Sequence, residues 1–266
     1  MDIQRLAEAR VIDLAHPLER GMPVSPNHPA FEIAMMRRHG DMVRPDGGSA
    51  ANEMITLGGH VGTHIDALGH VSQDGRLHGG VEASGVQTNR GLSVLGIDTV
   101  EPIVGRGVLL DVAALHGVGC LPPAYEVTVE DLEAAEQAGC VEVQRGDSVL
   151  IRTGWARHWA DPEFFRGQVG GAPGPGLAAG MWLAERRVRL VGGETIAFEV
   201  IRPGAGHATL PVHRILLVEA GINIIETMNL AGLAEAGSAE FVLVVAPLKI
   251  VGGTGSPVRP IALVDA

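Results

Sequence analysis

The sequence predicts one mixed α/β domain occupying residues 1–266, on three observations. First, short apolar stretches rich in Val, Ile and Leu recur between glycines at 107–112, 147–154, 188–193, 222–226 and 241–250. Such runs read as strands with buried faces. Second, helical stretches with start and stop signals stand between them, at 128–136 and 177–187. Third, no low-complexity linker divides the chain, and its length suits one large core.

Composition narrows the role. Hydrophobic residues are 46% and charged ones 19%, the balance of a folded domain rather than a disordered one. The net charge of −11 repels phosphate backbones, and 3% aromatics leave few stacking platforms, so a nucleic-acid role is excluded. No apolar run reaches the ~18 residues of a membrane span. Residues 1–5 lack the basic-then-apolar pattern of a signal peptide. Cys120 and Cys140 are spaced for neither a zinc ribbon nor a redox pair, and two cysteines suit a reducing compartment. The expectation is a soluble cytoplasmic protein that meets neither nucleic acid nor membrane.

Taken in order, 11–14 (Val-Ile-Asp-Leu) reads as a strand leading to four prolines between 17 and 29. Prolines at that density make a rigid, non-helical loop. Residues 51–57 alternate partly and read as the strand before the histidine-rich stretch. After that stretch, 73–75 is a turn and His78 a loop histidine. Thr128 caps the first helix, acids occupy its first turn, and Gly139 stops it. Trp155, His158 and Trp159 follow the 147–154 strand, with pocket lining and core packing both open for the tryptophans. A Gly/Pro-rich loop covers 167–176. Further on, Pro211 suits a first helical turn with Thr209 as cap, and Gly221 ends that helix. The reversal into the 222–226 strand carries Glu226 back toward His213. Residues 252–255 are Gly-rich but lack the Lys-Ser/Thr ending of a phosphate cradle. A strand at 261–264 closes the chain.

The chemistry concentrates at 58–70, Gly-Gly-His-Val-Gly-Thr-His-Ile-Asp-Ala-Leu-Gly-His. His60, His64, Asp66 and His70 share even positions, so an extended backbone aims all four one way, whereas a helix would split them. Imidazole nitrogen and carboxylate oxygen suit Zn²⁺, Mn²⁺ or Fe²⁺. The set exceeds a three-ligand shell, which leaves one group to act as a base. A hydrogen-bonded cluster on a strand edge is the structural alternative. Four convergent groups separated by glycines weigh against it.

His60-x-Gly62-Thr63-His64-x-Asp66-x-x-x-His70 resembles the signature of the cyclase-type metal hydrolases, which include bacterial kynurenine formamidase and isatin hydrolase. Val61 departs from a common Gly, and Leu68 from a Pro. His213-x-x-Leu216-Leu217 through Gly221 to Glu226 resembles the family's second signature, one residue longer than in the formamidases, and 247–260 its C-terminal pattern. The likeness thus spans nearly the whole chain. It implies a swivelling β/β/α fold and a homodimer or homotetramer. It also implies one or two ions, a first Mn²⁺ or Zn²⁺ on His60, His64 and Asp66, and, where a second is bound, His213 as its ligand and Glu226 as the bridge. Taken alone, His213 and Glu226 would read as a structural pair. By its place after Pro23-Val24, Ser25 matches a substrate-packing Trp of the formamidases, which points away from formylkynurenine. His207 is the other candidate for substrate contact.

The expected activity is hydrolysis of a non-peptide C–N bond in a small amide, imide or lactam. A metal would activate water, and His70 would shuttle the proton. Lactone or ester hydrolysis at the same site is the alternative. A non-catalytic small-molecule-binding module is disfavoured because it needs no base in phase with the ligands. A metal-free cyclase would leave the ligand count unexplained.

Overall fold

The computed structural model describes residues 7–265. The signal-peptide reading at 1–5 lies outside the described residues. One nine-stranded sheet organises them. Its order is Arg10–Asp13, Ile261–Val264, Glu240–Val245, Ile103–Asp111, Ser148–Arg152, Leu190–Gly193, Asn223–Glu226, His64–Asp66, Gly255–Pro257. The four strands from Ile103–Asp111 to Asn223–Glu226 run parallel, and the flanking pairs are antiparallel. The mixed α/β expectation is met.

The apolar runs are continuous because both faces of the parallel strands are covered. Val149, Ile151 and Ile224 face one core, shared with Leu132, Leu183 and Leu216 from helices. Leu150 and Ile225 point the other way, into a core with Ile65, Leu243 and Met228. Successive side chains on a strand alternate faces, so each run feeds two cores.

The Val129–Ala138 helix begins as the sequence indicates. The Thr128 hydroxyl accepts from the Asp131 amide, and the Asp131 carboxylate accepts from the Thr128 amide. A second helix spans Leu177–Glu185. The third starts at Pro211–His213 and widens into π turns over Arg214–Ala220. Thr209 does not cap it. Leu210 stands at the cap position without a side-chain bond, and the first amides go to Glu199 instead. Gly221 ends it at φ +71°, the left-handed geometry expected of a terminating glycine.

Three expectations shift in detail. Asn52–Thr56 joins only Glu32–Arg37, in a two-stranded ribbon apart from the main sheet. The last long strand stops at Val245, before Pro247. Trp155 is core, with its indole N–H donating to the Phe165 carbonyl. Cys120 and Cys140 are both free thiols. No helix among the described residues is long and apolar enough to cross a membrane.

Candidate metal centre

The site forms at one edge of the sheet. His64 pairs in register with Glu226 across the antiparallel junction, and Asp66 lies opposite Gly255 on the other side. Paired residues on neighbouring strands point to the same face, so register alone sets His64 against Glu226. Only residues 64–66 are extended; 60–63 form a turn, with Gly62 at φ +66°. The turn still delivers His60, because its ring stacks on Gly255, where any side chain would collide with it. His70 follows a second turn, closed by its amide on the Ala67 carbonyl.

The four groups of the first motif and the two of the second converge. His60 Nδ1 lies 2.7 Å from Asp66 Oδ1, and its Nε2 lies 2.9 Å from the Thr254 hydroxyl. His64 Nε2 is 3.3 Å from Glu226 Oε2 and 3.6 Å from Asp66 Oδ1. His213 Nε2 is 3.1 Å from Glu226 Oε1 and 3.7 Å from Asp66 Oδ2. The His70 ring stacks on His60 at 3.8 Å. Ligand atoms fall into two triads, His60/Asp66/His70 and His64/Asp66/Glu226, each within 4.8 Å. Asp66 belongs to both.

Those residues fit a cation. Asp66 Oδ2 is buried and completes no hydrogen bond, and Glu226 Oε1 meets only the His213 ring, at 3.1 Å and outside hydrogen-bond geometry. A buried carboxylate oxygen without a partner is costly, and a positive ion among the imidazoles would satisfy both. The far ring nitrogens are already held. His64 Nδ1 lies 2.8 Å from the Gly62 carbonyl, and His213 Nδ1 lies 2.8 Å from Glu199 Oε1. Such outer bonds fix the ring and leave Nε2 for a ligand.

Electrostatics follow from burial and neighbours. Burial pushes the Asp66 carboxyl up, but the His70, His60 and His64 imidazoles outweigh it and hold it well below the usual range. Burial likewise opposes His213, yet the Glu199 and Glu226 carboxylates raise it to about 10. His64 is raised in the same way by Glu226. Burial lowers His70 to about 4, with His60 and His213 adding to the fall, so it is neutral near pH 7.

A small pocket of about 30 Å³ opens over the cluster. Ser25 and His207, the two residues read as substrate contacts, both line it. The Ser25 hydroxyl is buried and has no partner. Neither Phe, Tyr nor Trp is among the lining residues; Ile196, Ala197 and Leu210 form its apolar part. Of the two departures, Val61 packs with Met22 and Phe31 beneath the Pro-rich loop, and Leu68 packs against the helix-side core. His78 stays outside, bonded to the Val218 carbonyl.

Three participants had not been singled out from the sequence. Glu199 orients His213 and accepts from the Val212 and His213 amides. Its signal was visible, a lone carboxylate in the apolar run Ile-Ala-Phe-Glu-Val-Ile, which must be paired when buried. His28, whose ring is 5.3 Å from His60, and Thr254 came from loops with no such signal.

The chain matches the model of the Cyclase family, described as "Putative cyclase", over residues 12–200. It belongs to that family. An isatin hydrolase from Roseibium aggregatum is 27% identical, covering 97% of this chain and 92% of the relative. A kynurenine formamidase from Bacillus cereus is 26% identical, covering 94% and 95%. A crystal structure of a cyclase described as novel superposes with a TM-score of 0.86 at 31% identity, covering 99% and 92%. Isatin hydrolase A from Ralstonia solanacearum gives 0.75 at 27%, covering 97% and 93%. The fold expected of the family is therefore the fold observed, and the class is hydrolase.

Proposed function

We propose that the cluster is the catalytic centre of a metal-dependent hydrolase that opens a non-peptide C–N bond in a small amide, imide or lactam. The observation that carries this reading is the convergence of two buried carboxylates, Asp66 and Glu226, on four imidazoles, with Asp66 Oδ2 left without a hydrogen bond. His60, His64 and Asp66 would hold one divalent cation, Mn²⁺ or Zn²⁺, and His213 and Glu226 would serve a second where two are bound. A bound cation supplies Lewis-acid polarisation of the carbonyl and brings the pKa of water toward ~7.

The rest falls to the chain's own groups. His70 is neutral near pH 7 and takes a proton from the attacking water. The water oxygen bonds to the carbonyl carbon, the C–N bond breaks, and His70 returns the proton to the leaving nitrogen. The products are a carboxylic acid and an amine from an amide or lactam, or a carboxylic acid and an amide from an imide, joined in one molecule when the substrate is cyclic. A base as weak as His70 needs acidified water, so its role and the cation's are linked. Ser25 Oγ donates to the substrate from the pocket wall, and His207 flanks it. The pocket lacks a flat aromatic wall, which favours a compact lactam or imide over formylkynurenine. The two free cysteines support a cytoplasmic setting. The quaternary state of this reading is a homodimer or homotetramer.

The test is a substrate panel on metal-loaded protein, with lactams such as isatin, cyclic imides, formamides and matched lactones. Faster turnover of C–N than of ester bonds is expected. Turnover of lactones alone would overturn the bond assignment.

A further inference from the structure

A second cleft lies at the carboxyl ends of the parallel strands, where α/β sheets offer a crevice to ligands. Its volume is about 420 Å³, against about 30 Å³ over the metal cluster, and the two share no lining residue. That volume falls within the roughly 300–1,000 Å³ of small-molecule pockets. Three strand ends supply its polar groups. Arg152 is the last residue of Ser148–Arg152, Glu194 follows Leu190–Gly193, and Asn229 stands just past Asn223–Glu226. Arg157 completes the set from the helical turn Trp155–His158, with its guanidinium set over Gly119.

These groups are only half used by the fold. Glu194 is 1% exposed. Its Oε2 accepts from the Thr153, Gly154 and Trp155 amides and from the Thr153 hydroxyl. That oxygen alone holds the turn, and Oε1 has no partner. Arg152 gives Nη1 to Asp111, at the end of the neighbouring strand, and its Nε is buried without a partner. Arg157 is exposed and enters no ion pair among the described residues. A buried carboxylate oxygen and a buried guanidinium N–H are each costly until something meets them. Burial also pushes the Glu194 carboxyl up, so its charge is poorly compensated in the protein alone. A clamp on the 153–155 turn needs Oε2 only and leaves these groups unexplained.

Charge decides what fits. A bare polyanion would face Glu194, and a bare cation would face two guanidinium groups. A molecule carrying both signs satisfies all three, and guanidinium groups pair best with a carboxylate. We propose that this cleft binds a small zwitterion of the amino-acid class, its ammonium group donating to Glu194 Oε1 and its carboxylate accepting from Arg152 and Arg157. The cleft is tied to the metal cluster through the chain. Glu194 leads into Ile196 and Ala197, which line the catalytic pocket, and the Thr195 carbonyl accepts from the Thr227 amide beside Glu226. Opening a lactam yields one molecule with an amine and a carboxylate, the class that the cleft accepts. The product therefore acts back on the pocket through residues 194–197, a consequence that rests on the hydrolase reading.

The experiment is titration calorimetry of the metal-loaded protein with γ-aminobutyrate, beside butyrate and butylamine, which each carry one of its two charges. One equivalent of γ-aminobutyrate is expected to bind ~10–100-fold more tightly than either, the worth of a hydrogen bond to a charged group. Arg157→Ala, at an exposed position, should weaken binding ~10-fold and leave hydrolysis unchanged in the absence of added ligand. Asp66→Ala, which removes a metal ligand, should bind γ-aminobutyrate as the wild type does. Hydrogen exchange on the wild type gives a reading that needs no variant, with the amides of 153–157 gaining protection when the ligand is bound. No binding of γ-aminobutyrate, equal binding of butyrate or butylamine, binding unchanged in Arg157→Ala, or binding lost in Asp66→Ala would each overturn the proposal. Arg157-dependent binding by a protein without hydrolytic activity would count against the catalytic reading and leave the cleft standing.

Discussion

The floor and the wall of the pocket are built on different terms. The floor, His64, Asp66 and Glu226, is set by strand register and buried on the sheet. The imidazoles around it, His60, His64 and His213, each have a carboxylate within 3.3 Å. The wall, Ser25, His28 and His207, comes from loops, and the Ser25 hydroxyl has no partner. The floor's charges hold one another whether or not substrate is bound. A buried hydroxyl with no protein partner is open to a group brought by the substrate. On the proposed reading the floor would hold the ion and the wall would meet the substrate.

Substitutions can break that division. Asp66→Ala removes the oxygens common to both triads, so metal content and turnover should both fall to background, read by elemental mass spectrometry and a hydrolysis assay. Retained metal would mean the triads do not share a ligand. His70→Ala should lower kcat ~10²–10⁴-fold with metal still bound. Metal lost with activity would instead make His70 a ligand, as its place in the His60/Asp66 triad also permits. Glu199→Gln leaves His213 in place but weakens its orienting bond, so metal affinity should drop ~10–100-fold in a competition titration. Ser25→Ala should raise KM about fivefold with kcat and metal content unchanged, the worth of one neutral hydrogen bond.

The gentlest probe lies where the wall is anchored. His16 stacks on Trp159 at 4.1 Å, and its amide donates to the Thr63 hydroxyl. Burial lowers its pKa to about 4, against ~6.5 in an unfolded chain. Below pH ~6.5 the unfolded chain binds a proton that the folded one refuses, so stability should fall as pH drops toward 4, by about 3 kcal/mol. Denaturation midpoints against pH should show a shallower slope in His16→Gln than in the wild type.

The same division explains what the sequence disclosed. His60, His64, Asp66 and His70 were legible because ligand chemistry and an even spacing coincide in eleven positions. The strand phase is real only over residues 64–66, and turns at Gly62 and Gly69 bring in the outer pair. The parallel strands were legible because both faces are buried, which leaves no polar interruption. The helix start at Pro211 was legible, but its cap was not. The amides are satisfied by Glu199, which lies 12 residues before Pro211 in sequence and meets it only in the fold. His28 and Thr254 were silent because a loop residue facing a pocket carries no periodic signal.

The central claim is that Asp66 and Glu226, with the imidazoles around them, are arranged to hold a divalent cation. Elemental mass spectrometry on purified, untagged protein tests it most directly. One or two equivalents of Mn or Zn, lost in Asp66→Ala, are predicted. A protein with no bound metal, and no gain in activity or thermal stability on adding Mn²⁺ or Zn²⁺, would contradict it.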